Sequence, residues 1–216
     1  MTPALAVALF LGLAGPCAAQ AADASDFGQA LAAHREGRAG QAAQLFRRLA
    51  DAGDPEAQYN IAVLYLAGHG LPRNDREALY WAWRARLSGI APAAALIARI
   101  TAQQAGADMG PLADRLLNDL SEDLRHGEPR AVLGAATLAA QLRTPPDLGE
   151  AYFWQSLAAA LDLPGTDRAA LAALRDRTLS QLPPDQRDAA QDAVLHRFGD
   201  WCAANPVPPD ACAAVR

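Results

Sequence analysis

A chain of 216 residues with 51% hydrophobic residues is long enough to bury a core, and this composition excludes a disordered protein. Alanine and leucine are abundant and aromatic residues make up only 6%, which favours helices over sheet and predicts an all-α protein. The formal net charge is −5, and the basic residues, all of them arginine, are spread along the chain, which excludes the cationic stripe of a nucleic-acid-binding protein.

Residues 1–21 have the pattern of a secretory signal peptide. They carry no charged side chain, and an apolar stretch from Ala4 to Ala14 is followed by the small-x-small sequence Ala19-Gln20-Ala21. The apolar stretch is short for a membrane span. We therefore expect export to the periplasm of a Gram-negative bacterium, with cleavage after Ala21 or with the segment kept as an anchor. A lipoprotein anchored at Cys17 is less favoured, because Pro16 stands where a small residue is normal.

Two segments of the chain, 55–89 and 129–163, repeat each other. Each reads as a helix, a turn and a second helix, and each starts with proline, whose missing amide would be unpaired in a first helical turn anyway. A single hairpin cannot bury both of its apolar faces, so stacked copies predict an α-solenoid with a degenerate copy over 90–127. The shared positions are Pro55, Ala57, Ala62, Leu64, Pro72, Glu77, Ala78, Trp81 and Ala85, which match Pro129, Ala131, Ala136, Leu138, Pro146, Glu150, Ala151, Trp154 and Ala158.

The first of these segments resembles the unit of the Sel1-like repeat family, a relative of the tetratricopeptide repeat. The resemblance implies a superhelix of antiparallel helix hairpins. It also makes 22–54 similar to a tetratricopeptide-type hairpin, 128–163 a weaker repeat and 164–200 a pair of capping helices before a Cys- and Pro-rich tail, 201–216. The positions that match the repeat are Ala57, Ala62, Tyr65, Gly68, Gly70, Asp75, Ala78, Trp81, Ala85 and Gly89.

The sequence LYLAGHGLPRND, 64–75, has the glycines of a phosphate-binding loop but not its context. Such a loop needs a preceding strand and a lysine, whereas this one follows residues at helical spacing in a chain without lysine. The resemblance instead implies that Gly68 and Gly70 are turn residues with positive φ and that Asp75 caps the next helix. His69 is then an exposed residue at the tip of the turn.

Two cysteines, Cys202 and Cys212, remain if Cys17 leaves with the signal peptide. In an exported protein, two isolated cysteines favour a disulfide over a metal site, because a zinc site needs four ligands. The nearest histidine is His196, which does not complete such a set. We expect a disulfide that holds the C-terminal tail, and the prolines between the cysteines predict a turn without a helix.

The sequence shows no catalytic or metal-binding arrangement. The histidines lie in four separate segments, no G-x-S-x-G motif is present, and the acidic pairs lie in arginine-rich helices, where they read as solvated faces. We expect no cofactor, no metal and no catalysis. The family resemblance implies a periplasmic scaffold that binds protein partners in a cell-envelope assembly, such as a motility, secretion or cell-wall machine. The alternative is an enzyme or ligand-binding protein that acts on peptidoglycan or β-lactam-like compounds.

Trp83 and its neighbour Arg84 are the predicted partner-binding residues. The repeat pattern uses Trp81, and Trp83 lies about 200° further around the same helix. An exposed tryptophan beside a guanidinium would offer the rigid contact area and the charge that interfaces favour. Packing of Trp83 inside the protein is the open alternative.

Overall fold

The computed structural model of the protein describes residues 17–104, 106–125, 128–143, 145–162, 166–204 and 212, with side chains from Asp26 onward. In these ranges the chain forms eleven helices and no strand. The helices are α1 (Cys17–Arg35), α2 (Ala39–Asp51), α3 (Pro55–Ala67), α4 (Asp75–Leu87), α5 (Ala93–Gln103), α6 (Gly110–Asp119), α7 (Ser121–Arg125), α8 (Pro129–Gln141), α9 (Leu148–Ala160), α10 (Arg168–Gln181) and α11 (Pro184–Ala204).

The helices belong to two compact units, Met1–Trp81 and Ala82–Arg216, which divide within α4. In the first unit α2 packs against both α1 and α3, and in the second α9 packs against α8, α10 and α11. Helices that follow one another in the sequence therefore pack against one another. This is the packing of an all-α repeat solenoid, as the sequence predicts.

The expected signal peptide lies mostly outside the described residues, which begin at Cys17. Helix α1 starts there and continues through the predicted cleavage site at Ala21. Cleavage after Ala21 would therefore remove the first residues of α1. In the described part of the chain, no helix has the length and apolarity needed to cross a bilayer.

Small residues let the helices of the first unit approach closely. The large side chain of Phe46 is also buried, and its ring contacts that of Phe27 edge to face, with the ring centroids 5.5 Å apart. The repeat alanine of α4 in the second unit, Ala85, is likewise completely buried. The alanines of the first unit with no exposed surface are Ala30, Ala33, Ala42, Ala50, Ala57, Ala62 and Ala78.

The turn after α3 depends on its two glycines. Gly68 and Gly70 have φ of 66° and 77°, in the left-handed region that favours glycine. A Cβ added to Gly70 would lie 2.1 Å from the carbonyl oxygen of Ala39, so the turn lies directly against the first residues of α2. His69 is exposed between the glycines, and its ring centroid lies 6.3 Å from that of His34.

The helix cap predicted at Asp75 is formed by the preceding residue, which corrects the expectation. Asn74 Oδ1 accepts hydrogen bonds from the amides of Arg76 and Glu77, both at 3.1 Å. Asp75 is the first residue of α4, where its carboxylate accepts a 2.8 Å hydrogen bond from Arg73 Nε. The hydrogen bond and charge of Arg73 lower the pKa of Asp75 against the opposing effect of burial. A carboxylate in the first turn also interacts favourably with the helix dipole.

The equivalent cap in the later repeat is Asp147. Its Oδ1 accepts a 2.9 Å hydrogen bond from the amide of Glu150, at the start of α9. Asn74 and Asp147 are therefore both N-cap residues, because a short polar side chain at this position reaches the unpaired amides of the first helical turn. The resemblance placed the capping role one residue too late in the first copy.

The segment 90–127, predicted as a degenerate repeat, holds α5, α6 and the short α7. Helix α6 packs against α8, and α7 continues from it toward α8. The interruption between α6 and α7 lies at Leu120. The described part of this segment is therefore helical, although it lacks the glycine pattern of the repeat.

The last helix extends beyond the boundary predicted at residue 200. Helix α11 continues to Ala204, so Trp201 and Cys202 belong to it rather than to the tail. Trp201 packs against the apolar cluster around Val132, and its indole Nε1 donates a 3.2 Å hydrogen bond to the carbonyl oxygen of Leu124. This anchoring explains why the helix continues, because ending it earlier would expose a large aromatic side chain.

An ion pair also attaches α11 to the second helix of the later repeat. Arg197 donates to both carboxylate oxygens of Glu150, at 2.7 and 2.9 Å, and its guanidinium carbon lies 3.6 Å from the ring centroid of Phe153. Phe153 belongs to the apolar cluster of this unit. The capping helix is therefore held by apolar packing, a bidentate charge pair and a cation–π contact together.

Cys202 and Cys212 form a disulfide, which confirms the predicted pairing. Their Cα atoms are 5.6 Å apart, and both residues are buried. The bond holds position 212 at the end of α11. The turn predicted between them from its prolines lies outside the described residues, apart from the helical residues up to Ala204.

Replacing Ala62 by phenylalanine is expected to lower the free energy of unfolding by about 1–3 kcal/mol or more, because Ala62 has no exposed surface and a larger side chain there strains its neighbours. Replacing the exposed His69 by alanine is expected to change it by less than about 0.5 kcal/mol. Urea denaturation followed by circular dichroism measures both. Equal midpoints for the two variants would contradict the alignment of the repeats.

Candidate partner-binding groove

The structure buries the predicted contact residue Trp83. Its side chain is 3% exposed, and the guanidinium carbon of Arg86 lies 5.6 Å from its ring centroid. This burial corrects the exposure expected for Trp83. The physical reason is that α4 is covered on every side, since all residues from Ala78 to Trp83 are buried. Because this stretch of α4 is apolar all round, an angular offset from the packed stripe does not lead to solvent there.

The adjacent Arg84 is half-buried on the same helix and already interacts within the chain. Its predicted role in partner binding stays a prediction. Without an exposed tryptophan beside it, however, the pair does not form the surface that the sequence suggested. The candidate binding surface therefore has to be sought on other elements.

An open groove in the first unit, between α2, α3 and the turn at Gly70, offers such a surface. Its volume is about 660 Å³, within the range of ligand-binding clefts. The exposed side of α2 forms one wall, and Tyr65 with the turn after α3 forms the other. The lining residues are Gly40, Gln41, Ala43, Gln44, Leu45, Arg47, Arg48, Ile61, Tyr65, Gly70 and Leu71.

Arg47 contacts three partners beside this groove. Its Nε lies 3.1 Å from both carboxylate oxygens of Asp51, its Nη1 donates a 2.9 Å hydrogen bond to the hydroxyl of Tyr65, and its guanidinium carbon lies 5.0 Å from the ring centroid of Trp81. Burial alone would lower the pKa of Arg47, but its interactions with Tyr65 and Asp51 outweigh that effect and raise the pKa. Arg47 is therefore committed to contacts within the first unit.

Tyr65 has a second role besides the packing that the repeat pattern predicts. Its side chain is half-buried, and its hydroxyl, which accepts the hydrogen bond from Arg47, lies at the groove. A tyrosine hydroxyl that accepts one hydrogen bond keeps its own O–H as a donor. The groove thus presents a hydroxyl donor beside the Arg47–Asp51 ion pair.

Arg48, the next residue on α2, is exposed in the groove. Among the described residues its side chain has no hydrogen-bond or ion-pair partner, in contrast to Arg47. No carboxylate lines the groove, although the chain as a whole has a net charge of −5. The groove is therefore a local positive site with one available guanidinium.

Two further cavities lie in the second unit. One cavity, of about 670 Å³, is lined by side chains of both charges, which are Arg143, Asp108 and Asp147. The other, of about 320 Å³, contains Arg130 and Arg86, and the Arg86 side chain donates a 3.1 Å hydrogen bond to Gln141. Neither combines an oriented tyrosine hydroxyl with a free guanidinium. Within the described ranges, no three His, Cys, Asp or Glu side chains come together as metal ligands would.

The successive packing of helix pairs defines this chain as an all-α helical-repeat protein. The Sel1 repeat family profile matches three of its segments, 39–54, 55–89 and 137–163. The chain therefore contains Sel1 repeats, the family that segment 55–89 resembles. No curated protein and no solved structure gives a significant match to it.

The matched segments refine the repeat boundaries drawn from the sequence. The first match, 39–54, covers α2, which lies within the segment 22–54 that resembles a tetratricopeptide-type hairpin. The third match begins at residue 137, within α8, and the three matches leave out 90–136. The groove lies wholly within the first two matched segments, whereas both other cavities include residues outside all three.

Sequence reasoning missed the arginines of the groove. Arg47 and Arg48 stand together in the sequence LFRRLAD, where adjacent charges on a helix read as a solvated face. The available signal was the position of Arg47, 18 residues before Tyr65 and about one repeat before Trp81, two aromatic residues that were predicted to pack. A cation next to repeat aromatics is a hint of the contact that the structure shows between these residues.

Proposed function

We propose that this protein is a non-catalytic scaffold that holds a partner protein in the groove of its first unit, as part of a cell-envelope assembly. Sel1 repeats are typical of scaffolds for protein–protein interaction. The observation that carries the proposal is the position of the groove, which is formed entirely by residues of two Sel1-matched segments. Its free arginine, oriented tyrosine and apolar floor are the kinds of group that enrich interface contacts.

The proposed location is the periplasm of a Gram-negative bacterium. The uncharged apolar start and the sequence Ala19-Gln20-Ala21 support export. The disulfide between Cys202 and Cys212 agrees with that location, because such bonds persist in oxidising compartments. Motility, secretion and cell-wall machines are the assemblies in which we propose that the scaffold acts.

Site-specific photo-crosslinking in the producing bacterium tests the proposal. A photoreactive phenylalanine at Gln44, which is exposed in the groove, is expected to capture one protein partner in stoichiometric amounts. The control position is Glu56, which is exposed on α3 but does not line the groove. Capture at Glu56 and not at Gln44 would contradict the site.

The same preparation tests whether the protein is exported and distinguishes a protein-binding scaffold from a protein that acts on the cell wall. The intact mass of the protein from the periplasmic fraction is expected to match a chain that begins at Ala22. Retention on purified peptidoglycan without any crosslinked protein would instead favour a protein that acts on cell-wall material. A full-length chain in the cytoplasm would contradict the proposed location.

A further inference from the structure

We infer that the groove recognises an extended, acidic segment of its partner, with a carboxylate of that segment bound by Arg48. This inference rests on the proposed scaffold function and adds the chemistry of the partner. It is carried by three properties of the groove, which are its charge, its length and the arrangement of its polar groups.

The charge of the groove selects an anion. Arg47 is already paired with Asp51 and Tyr65, and the Asp51 carboxylate offsets most of its charge. Arg48 lines the same groove, and in the described part of the chain its guanidinium has no partner. A guanidinium presents a planar set of donors that matches a carboxylate in a two-point contact, which is among the stronger hydrogen-bonded pairs. A carboxylate is therefore the complementary group.

The length of the groove selects a chain segment over a small anion. Its wall on α2 runs from Gly40 to Arg48, which spans about 12 Å at the rise of a helix. An extended peptide covers that distance with about four residues. A free phosphate or carboxylate would occupy only the end at Arg48 and leave the rest of the groove empty.

The other groups of the groove suit an extended backbone. Gln41 and Gln44 are exposed along α2. The Gln44 side-chain amide can both donate to a peptide carbonyl and accept from a peptide amide, and Gln41, whose oxygen already accepts from Arg38, keeps its amide N–H groups as donors. Leu71, on the opposite wall, is half-buried and offers apolar contact for one side chain of the segment. The occupant is thus a short acidic segment that also carries an apolar residue.

Fluorescence anisotropy with a labelled synthetic peptide tests the inference. The probe is a blocked peptide of alternating glutamate and leucine, and its control replaces each glutamate by glutamine. The full-length protein is expected to bind the glutamate peptide and not the glutamine peptide. Arg48→Gln is expected to weaken binding about tenfold or more, since hydrogen bonds to charged groups are the stronger class. Arg48→Lys keeps the charge but loses the planar set of donors, so its affinity for the glutamate peptide is expected to lie between that of the parent protein and that of Arg48→Gln.

Arg76→Gln is the matched control, because it removes the same charge from an exposed arginine of the first unit that does not line the groove. It is expected to weaken binding less than about twofold, as a distant exposed charge is screened by salt. Circular dichroism melts confirm that each variant is folded. Equal losses for Arg48→Gln and Arg76→Gln would overturn the inference, and so would no binding of the glutamate peptide or its full displacement by an equal concentration of inorganic phosphate.

Crosslinking from Gln44 distinguishes failure of this inference from failure of the scaffold function. If the partner is captured equally with and without Arg48→Gln, the scaffold stands and the acidic recognition is wrong. If Gln44 captures no protein with Arg48 intact, the proposed function itself fails. A captured partner whose crosslinked segment is acidic, and whose capture falls with Arg48→Gln, supports both.

Discussion

Replacing Trp83 by alanine is expected to lower the free energy of unfolding by about 3–5 kcal/mol, the range for truncating a large buried aromatic side chain. The indole is 3% exposed and lies in a helix with no exposed face between Ala78 and Trp83. The substitution would leave a cavity and remove the contact with the guanidinium of Arg86. Chemical denaturation followed by far-ultraviolet circular dichroism measures the loss.

Two controls separate burial from side-chain size. Trp83→Phe keeps an aromatic ring and is expected to cost less than Trp83→Ala, because it leaves a smaller cavity. Leu195→Ala removes a large apolar side chain that is 67% exposed, and it is expected to change the stability by less than about 0.5 kcal/mol. If Trp83→Ala melts like the parent protein and yet abolishes partner capture, Trp83 is a surface contact and the burial described above is wrong.

Replacing Gly70 by alanine is expected to lower the free energy of unfolding by about 3 kcal/mol. One part of this loss is the strain of alanine in a left-handed backbone, and the other is the displacement of the packed groups that the new Cβ would meet. The φ of Gly70 is 77°, and the new Cβ would lie 2.1 Å from the carbonyl oxygen of Ala39 and 2.8 Å from the amide of Gly40. Those contacts are with backbone atoms, so no side-chain rotation relieves them. The turn must therefore move away from α2.

Gly53→Ala is the matched control for this prediction. Gly53 also has a left-handed backbone, with φ of 96°, but an added Cβ would meet no atom within 4 Å. Gly53→Ala is expected to lower the free energy of unfolding only by the strain of the left-handed backbone, about 1–2 kcal/mol. The difference between the two variants in urea denaturation measures the close approach of the turn to α2. Equal losses would mean that the turn can shift freely, and that the groove wall is less rigid than the structure shows.

The repeat could be predicted from the sequence because its characteristic residues determine the conformation of the backbone in their immediate neighbourhood. Prolines stand at the first residues of α3 and α8, and glycines with positive φ follow α3 and α4 at Gly68 and Gly89. These preferences depend on the backbone of a few neighbouring residues and not on distant contacts. Helix boundaries in the 55–89 segment could therefore be drawn without the structure. The error of one residue at the Asn74 cap arose because Asn and Asp cap equally well.

The groove could not be predicted in the same way, because its residues lie on different helices. Arg47 meets Tyr65 and Trp81 only after α2, α3 and the start of α4 are packed. Nothing in the spacing of these residues states whether the guanidinium points to solvent or to the aromatic ring. The difference between an occupied Arg47 and a free Arg48 is likewise a result of packing, since the two are neighbours of the same type.

The sequence by itself determined the helical class, the Sel1 repeat and the pairing of Cys202 with Cys212, because composition, period and the scarcity of cysteines leave few alternatives. Only the tertiary structure decided that Trp83 is interior and that α2, α3 and the turn at Gly70 enclose a groove beside Arg48. A helical period separates one face of a helix from the other, but exposure depends on how many neighbours cover the helix. Helix α4 is covered all round from Ala78 to Trp83, whereas α2 keeps one side open.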